Sequence, residues 1–216
     1  MKVIAKPQIP LYISPYSSTN NILSESSISE SILENLNLNG KLATNISLKE
    51  STLTRVDCSE AKMDKLDLLD VAMDNCQFTA GKLTESSWQR VNLDNVQGSG
   101  ILLQDSRLKD VVFMNSKLDF ANFRYTKFIN VKFVNCILNE ADFYMAKLNN
   151  VSFQDCILNN VEFSGVTVKD VDLRSSNIAQ IKGIADLRGA KIDSLQLVTL
   201  APLLAHNLGL LVVDDN

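Results

Sequence analysis

The chain of 216 residues is poor in the residues that most folds use for turns and for chemistry. It has 8 glycines, 4 prolines, 4 cysteines, one tryptophan and a single histidine. So few glycines are unusual for a β-rich protein built from hairpins, whose tight turns depend on them. One histidine, His206, excludes a His-based metal site or catalytic triad within a single chain. No apolar run approaches the ~20 residues of a membrane span. The N-terminal MKVIAKPQIPLYISPY is broken by Lys6, Pro7 and Pro10 where a leader would need a continuous apolar core. A cytoplasmic protein without membrane association is expected. The net charge of -4 argues against direct nucleic-acid binding. With 45% hydrophobic and 21% charged residues, the chain is nevertheless expected to fold around a sizeable core.

What is present is a period. In FMNSKLDFANFRYTKFINVKF, large apolar residues fall at Phe113, Leu118, Phe123, Phe128 and Phe133, five apart each time. A half-buried strand repeats every two residues and an α-helix every 3.6, so neither accounts for a strict five. Backwards the register runs without slip to Leu48 through Leu93, Trp88, Leu83, Phe78, Met73, Leu68, Met63, Cys58 and Leu53. Forwards it continues to Ile178, and it extends weakly back to Leu23. Two residues before each centre sits a small or β-branched residue, as at Val111, Ser116, Ala121, Thr126, Val131 and Cys136. Units such as ANFRY, ADFYM and VDLRS are the clearest.

This pattern resembles the pentapeptide repeat family, A(D/N)LXX with Leu or Phe at the centre, over roughly residues 23–192. The resemblance implies an all-β solenoid: a right-handed quadrilateral parallel β-helix of about eight coils with a short C-terminal helical cap. Four pentapeptides would make one square coil, and coils would stack at ~4.8 Å into a rod of roughly 40 Å. Such a rod is quasi-one-dimensional and needs both ends covered. The expected organisation is an N-terminal cap or extension over 1–22, the β-helix over 23–192, and a helical cap with a terminal strand over 193–216. Folding by twenty stacks Phe113, Phe133 and Phe153 on one wall and Phe123, Phe143 and Phe163 on the opposite one.

Gly98 stands at a centre where Leu or Phe belongs. It is either a hinge between two stacks or a small residue that makes room for Trp88 across the coil. After Ile178 the register shifts through the insertion-like IKGI. Asp193 or Ser194 then caps a helix stopped by Gly209, with Pro202 suggesting two short turns or a kink. In this segment Leu200, Leu203, Leu204 and Leu208 are candidates for an end cap that could also form a homodimer. The N-terminal IPLYISPY is expected to cross the first coil.

The search for chemistry finds no catalytic constellation, no metal site and no cofactor motif. Cys76, Cys136 and Cys156 fall two before a centre and Cys58 at one, so all four are expected to be free and buried. Two surface features remain. Phe120, Arg124, Tyr125, Tyr144 and Met145 are exposed on adjacent coils and are the residue types that interfaces favour. Asp57, Glu60, Asp64, Asp67, Asp70 and Asp74 form an acidic stretch diluted by Lys62 and Lys65. The expected function is non-catalytic: an interaction scaffold presenting a rigid face to a protein partner. The alternative, implied by resemblance to the quinolone-resistance members, is a DNA mimic that binds DNA gyrase or topoisomerase.

Overall fold

A computed structural model describes residues 3–16, 22–211 and 213. Its ordered elements are β1 (Ser14–Pro15), β2 (Ser27–Ser29), β3 (Ser31–Glu34), β4 (Ser47–Thr54), β5 (Asp67–Asp74), β6 (Ser87–Asp94), β7 (Arg107–Met114), β8 (Lys127–Val134), β9 (Lys147–Gln154) and β10 (Thr167–Asp172). A 3-10 turn at Ile184–Leu187 and helix α1 (Ser194–Asn207) follow. The strands form one parallel sheet in the order β1-β3-β4-β5-β6-β7-β8-β9-β10, with β2 beside β4. Partners are offset by one coil: Phe113 pairs with Phe133, and Phe133 with Phe153. The result is a parallel β-solenoid of about eight coils with one C-terminal helix.

The five-residue period has a backbone cause that apolar spacing alone does not disclose. The residue two after each centre as far as Leu173 adopts the left-handed conformation, as at Asn75 (φ 54), Tyr125 (φ 60), Asn135 (φ 52) and Met145 (φ 55). An L-residue enters that region at a cost of roughly 1–2 kcal/mol, least for Asn and Asp. Each such residue turns the chain through a corner. The corner is held by a ladder, since Tyr125 N–H donates to Tyr144 O at 3.0 Å on the next coil and Met145 N–H to Ser164 O at 3.0 Å. The inter-coil bonds replace hairpins, which is why the chain manages with so few glycines.

Inward positions are sealed. Phe113 stacks on Phe133 at 4.9 Å between ring centroids, and Phe133 on Phe153 at 4.9 Å. The opposite wall runs Phe123, Phe143 and Phe163 at 4.9 and 5.3 Å. The first coils rely on Leu, Met and Ala instead, and these enclose a small apolar cavity of about 30 Å³ among Ile28, Leu48, Met63 and Met73. All four cysteines are free and buried. The neighbouring Cys156 sulfur and burial push the Cys136 thiol up, and burial does the same to Cys58. Neither is a nucleophile at neutral pH.

Several expectations are corrected. Leu23 does not join the inward column: it is exposed and Ile22 is buried in its stead. Gly98 is not a hinge, because the ladder passes through it unbroken, with Gly98 N–H donating to Lys117 O at 2.8 Å and Gln97 N–H to Cys76 O at 3.0 Å. A side chain at Gly98 would first meet Leu118 Cδ2 at 3.0 Å, from the next coil. The IKGI segment is not an insertion but a shortening. Glu162 bridges Lys182, twenty residues on, whereas Asp172 bridges Lys191, nineteen on. The 3-10 turn accommodates the missing residue, and it starts beside Gly183 (φ 72), which lies against the Phe163–Ser164 backbone where no Cβ would fit.

Both ends also differ in detail. Helix α1 is continuous through Pro202. Asp193 caps it, accepting from Gln196 N–H at 2.9 Å, while Gln196 Oε1 accepts from Asp193 N–H at 2.9 Å, a reciprocal capping box. Gln196 Nε2 then donates to Leu173 O and Ser176 O, both at 2.7 Å, so a helix side chain satisfies carbonyls of the final coil. Leu210, Leu211 and Val213 lie in no strand, and Val212, which the expected terminal strand includes, lies outside the described residues. At the other end, residues 14–16 lie alongside the first coil, with Ser14 N–H on Glu30 O and Tyr16 N–H on Ile32 O. Residues 3–13 do not cross the coil. They run lengthwise along one corner of the rod, where Gln8 N–H donates to Asp70 Oδ1 at 2.8 Å and Ala5 N–H to Asp110 Oδ1 at 3.5 Å. Asp70 and Asp110 are two coils apart, about 10 Å, which is the reach of the three extended steps from Ala5 to Gln8. Pro7 and Pro10 keep this arm extended and need no acceptor.

Candidate interaction surface

The left-handed corners and the stacked coils decide which outward side chains meet. Tyr125 and Met145 occupy successive corners of one column, and Arg124 and Tyr144 sit one residue earlier on the same two coils. The Tyr125 and Tyr144 rings pack edge to face at 6.0 Å. The Arg124 guanidinium lies 4.5 Å from the Tyr144 ring centroid and 5.9 Å from that of Tyr125. Its Nη1 reaches Asp142 Oδ2 at 3.2 Å. Stacking on aromatic faces is the geometry that guanidinium groups favour. Met145 lies against Gly165, whose φ of 72 and missing side chain leave space for it on the next coil. The four residues thus form one preformed patch, with Tyr125 49% and Met145 47% exposed. Phe120 is not part of it. It projects from the adjoining corner, 59% exposed, and lines a shallow groove with Asp119, Ile137 and Glu140.

The acidic residues are consecutive in sequence but not in space. Asp57, Glu60, Asp64, Asp67, Asp70 and Asp74 are spread around the circumference of the rod. Two are neutralised from the next coil. Asp64 accepts from Lys82 Nζ at 2.8 Å and from Thr84 Oγ1 at 2.5 Å. Asp70 is buried and receives Arg90 in a two-pronged pair, Nε to Oδ1 at 2.6 Å and Nη2 to Oδ2 at 2.5 Å. Those bonds, with the Gln8 amide, hold its carboxyl below the usual carboxylate range. Asp57 is occupied by the Ser59 amide at 2.9 Å, and Asp74 by Asn75 Nδ2 at 2.7 Å. Asp67 is half-buried and Glu60 exposed.

The cap leucines divide. Leu200 is fully buried against the last coil, Leu203 and Leu204 are partly buried on the core, and Leu208 is 74% exposed. Leu195, Leu197 and Val198 also face solvent. Leu195 and Leu197 are visible in the sequence as apolar, but a helix with apolar residues on several sides does not disclose which side docks. His206 is exposed in the last turn. Among the described residues no group of three or more His, Cys, Asp or Glu could hold a metal, and no helix is long and apolar enough to cross a membrane.

A family model described as a pentapeptide repeat region matches residues 82–163, 106–182 and 126–197, together more than half of the chain. The chain belongs to the pentapeptide repeat family. No curated relative matches it. Solved structures similar to it include a trypsin-treated QnrB1, described as a plasmid-mediated fluoroquinolone resistance protein. It is 18% identical over 93% of this chain and 98% of that one, with a TM-score of 0.45. HetL, a pentapeptide repeat protein involved in heterocyst differentiation regulation from the cyanobacterium Nostoc, is 17% identical. That match covers 82% of this chain and 93% of HetL, with a TM-score of 0.34. Rfr23, from the cyanobacterium Cyanothece, is 14% identical over 64% and 88% of the two chains, with a TM-score of 0.20.

Proposed function

We propose that this pentapeptide repeat protein is a non-catalytic interaction scaffold that presents the Arg124–Tyr125–Tyr144–Met145 patch to a protein partner. The observation that carries this reading is the order of that patch. Arg124, Tyr125 and Tyr144 are packed against each other and Met145 against Gly165, on rigid, hydrogen-bonded coils, so little conformational entropy is lost when a partner covers them. Tyr and Arg are the residue types in which binding energy concentrates. The spread of the acidic residues around the circumference, and the pairing of Asp64 and Asp70 with Lys82 and Arg90, weigh against a DNA-like charged face.

The test is photo-crosslinking in cells, with a benzophenone amino acid at position 125 or, as a control, at the exposed Thr79 on a different face. A discrete adduct from position 125, lost on Tyr144→Ala and missing from position 79, is expected. Equal labelling from both positions would sink the reading. A gyrase supercoiling assay with and without a fluoroquinolone, across a salt series, addresses the alternative. Inhibition or drug protection lost as salt rises would put DNA mimicry in its place.

A further inference from the structure

Several charges on this rod are neutralised from coil to coil. Arg90 pairs with Asp70, Lys82 with Asp64, Arg124 with Asp142, Arg55 with Glu34 and Lys65 with Glu85, each pair bridging adjacent coils. One column instead sets cations directly against cations. Arg107 pairs across the sheet with Lys127, and Lys127 with Lys147, so three cations stand on successive rungs of the same face. All three are exposed, and none makes an ion pair with a described carboxylate. Lys109 stands two residues beyond Arg107 on the strip's first rung, and Lys169 two beyond Thr167 on the rung after Lys147. The nearby carboxylates Asp110 and Asp170 are engaged elsewhere, by Asn130 at 2.9 Å and Lys191 at 2.5 Å. Like charges directly opposite one another on neighbouring strands are destabilising. The row therefore adds repulsion rather than an ion pair to the fold.

We propose that Arg107, Lys127 and Lys147 form a docking strip for a short acidic segment of a protein partner. The strip borders the aromatic patch, since Tyr125 lies two residues before Lys127 and Met145 two before Lys147. It therefore rests on the scaffold reading and supplies the chemistry of the partner. Length selects a peptide over a nucleic acid. The three cations span about 10 Å, the length of three extended residues. The same column carries Asp67 two rungs before Arg107 and Thr167 on the rung after Lys147. A long phosphodiester chain following the column would run from cations onto a carboxylate. An extended segment carrying two or three carboxylates ends before it, with its flanking apolar side chains over Tyr125 and Met145.

The test is fluorescence anisotropy of fluorescein-labelled hexaglutamate with the full chain at low salt, repeated at rising salt. The comparison is the triple variant Arg107→Gln, Lys127→Gln, Lys147→Gln. Its control is Lys49→Gln, Lys62→Gln, Lys182→Gln, which changes the net charge equally on other columns. Saturable binding is expected, weakened roughly tenfold by the first triple, as the sum of three exposed ion pairs allows, and little by the second. The melting temperature of the first triple should equal or exceed that of the parent, because like-charge repulsion is removed. Equal weakening by both triples, or no saturable binding, would overturn the strip, as would tighter binding of a length-matched oligothymidylate than of hexaglutamate. If the strip fails while the position-125 adduct persists, the scaffold reading survives it. Loss of that adduct with hexaglutamate binding intact removes the scaffold reading alone.

Discussion

Asp70→Asn is the substitution that best separates the contributions to this rod's stability. Position 70 is a corner with φ 57, a conformation that Asn tolerates nearly as well as Asp, so the backbone is left unstrained. What changes is charge and hydrogen bonding. The carboxylate, with its side chain only 4% exposed, accepts two bonds from Arg90 and one from the Gln8 amide. An amide in its place offers one acceptor and turns an N–H towards one of those donors. Hydrogen bonds to charged groups contribute about 1.5–3 kcal/mol each. Arg90 retains access to water, so the contributions will not sum fully, and a loss of roughly 2–4 kcal/mol is expected at pH 7. The pH dependence carries a sign. Because Arg90 depresses the folded-state pKa of Asp70, its contribution is complete above the unfolded value of about 3.9 and fades as pH falls through the lower folded value. Urea unfolding followed by circular dichroism from pH 7 down to about pH 2.5 should therefore show a shallower acid slope in the variant. Hydrogen exchange at the Gln8 amide should accelerate, since its acceptor is weakened. An unchanged acid slope, or a loss below about 1 kcal/mol, would refute the reasoning.

Three further substitutions probe the core and the register. Phe133→Ala removes a fully buried ring stacked on both Phe113 and Phe153, and should cost about 3–5 kcal/mol in chemical denaturation, with exchange protection lost first in the flanking coils. Gly98→Leu should cost about 1–3 kcal/mol by crowding Leu118, and the additional Leu118→Ala should recover part of the loss. Gly183→Ala places a Cβ 2.4 Å from the Ser164 amide nitrogen in a left-handed residue. It should lower the melting temperature of the C-terminal end, seen as selective loss of amide protection in α1.

The sequence alone determined the solenoid. A strict five-residue spacing from Leu48 to Ile178 is compatible with a chain that turns every five residues, and the small residues two before each centre supply the second inward position. That information is local and repeated, so no tertiary context was needed to read it. The stacked phenylalanines follow from the same arithmetic, as do the four buried cysteines; capping preference put the helix start at Asp193 or Ser194, and the fold selects Asp193. Elements without a period were decided by the tertiary structure. The N-terminal arm has no pattern that reveals its course. Only the buried carboxylates of Asp70 and Asp110, sixty residues or more away in sequence, draw it along the side of the rod. Gly98 invited a reading across its own coil, yet the atom that decides its size belongs to Leu118 on the next. The acidic run between 57 and 74 looked like a surface because its members are close in sequence. A coil of twenty residues carries them around all sides, while Arg107, Lys127 and Lys147, twenty apart and inconspicuous in the sequence, stand in a row.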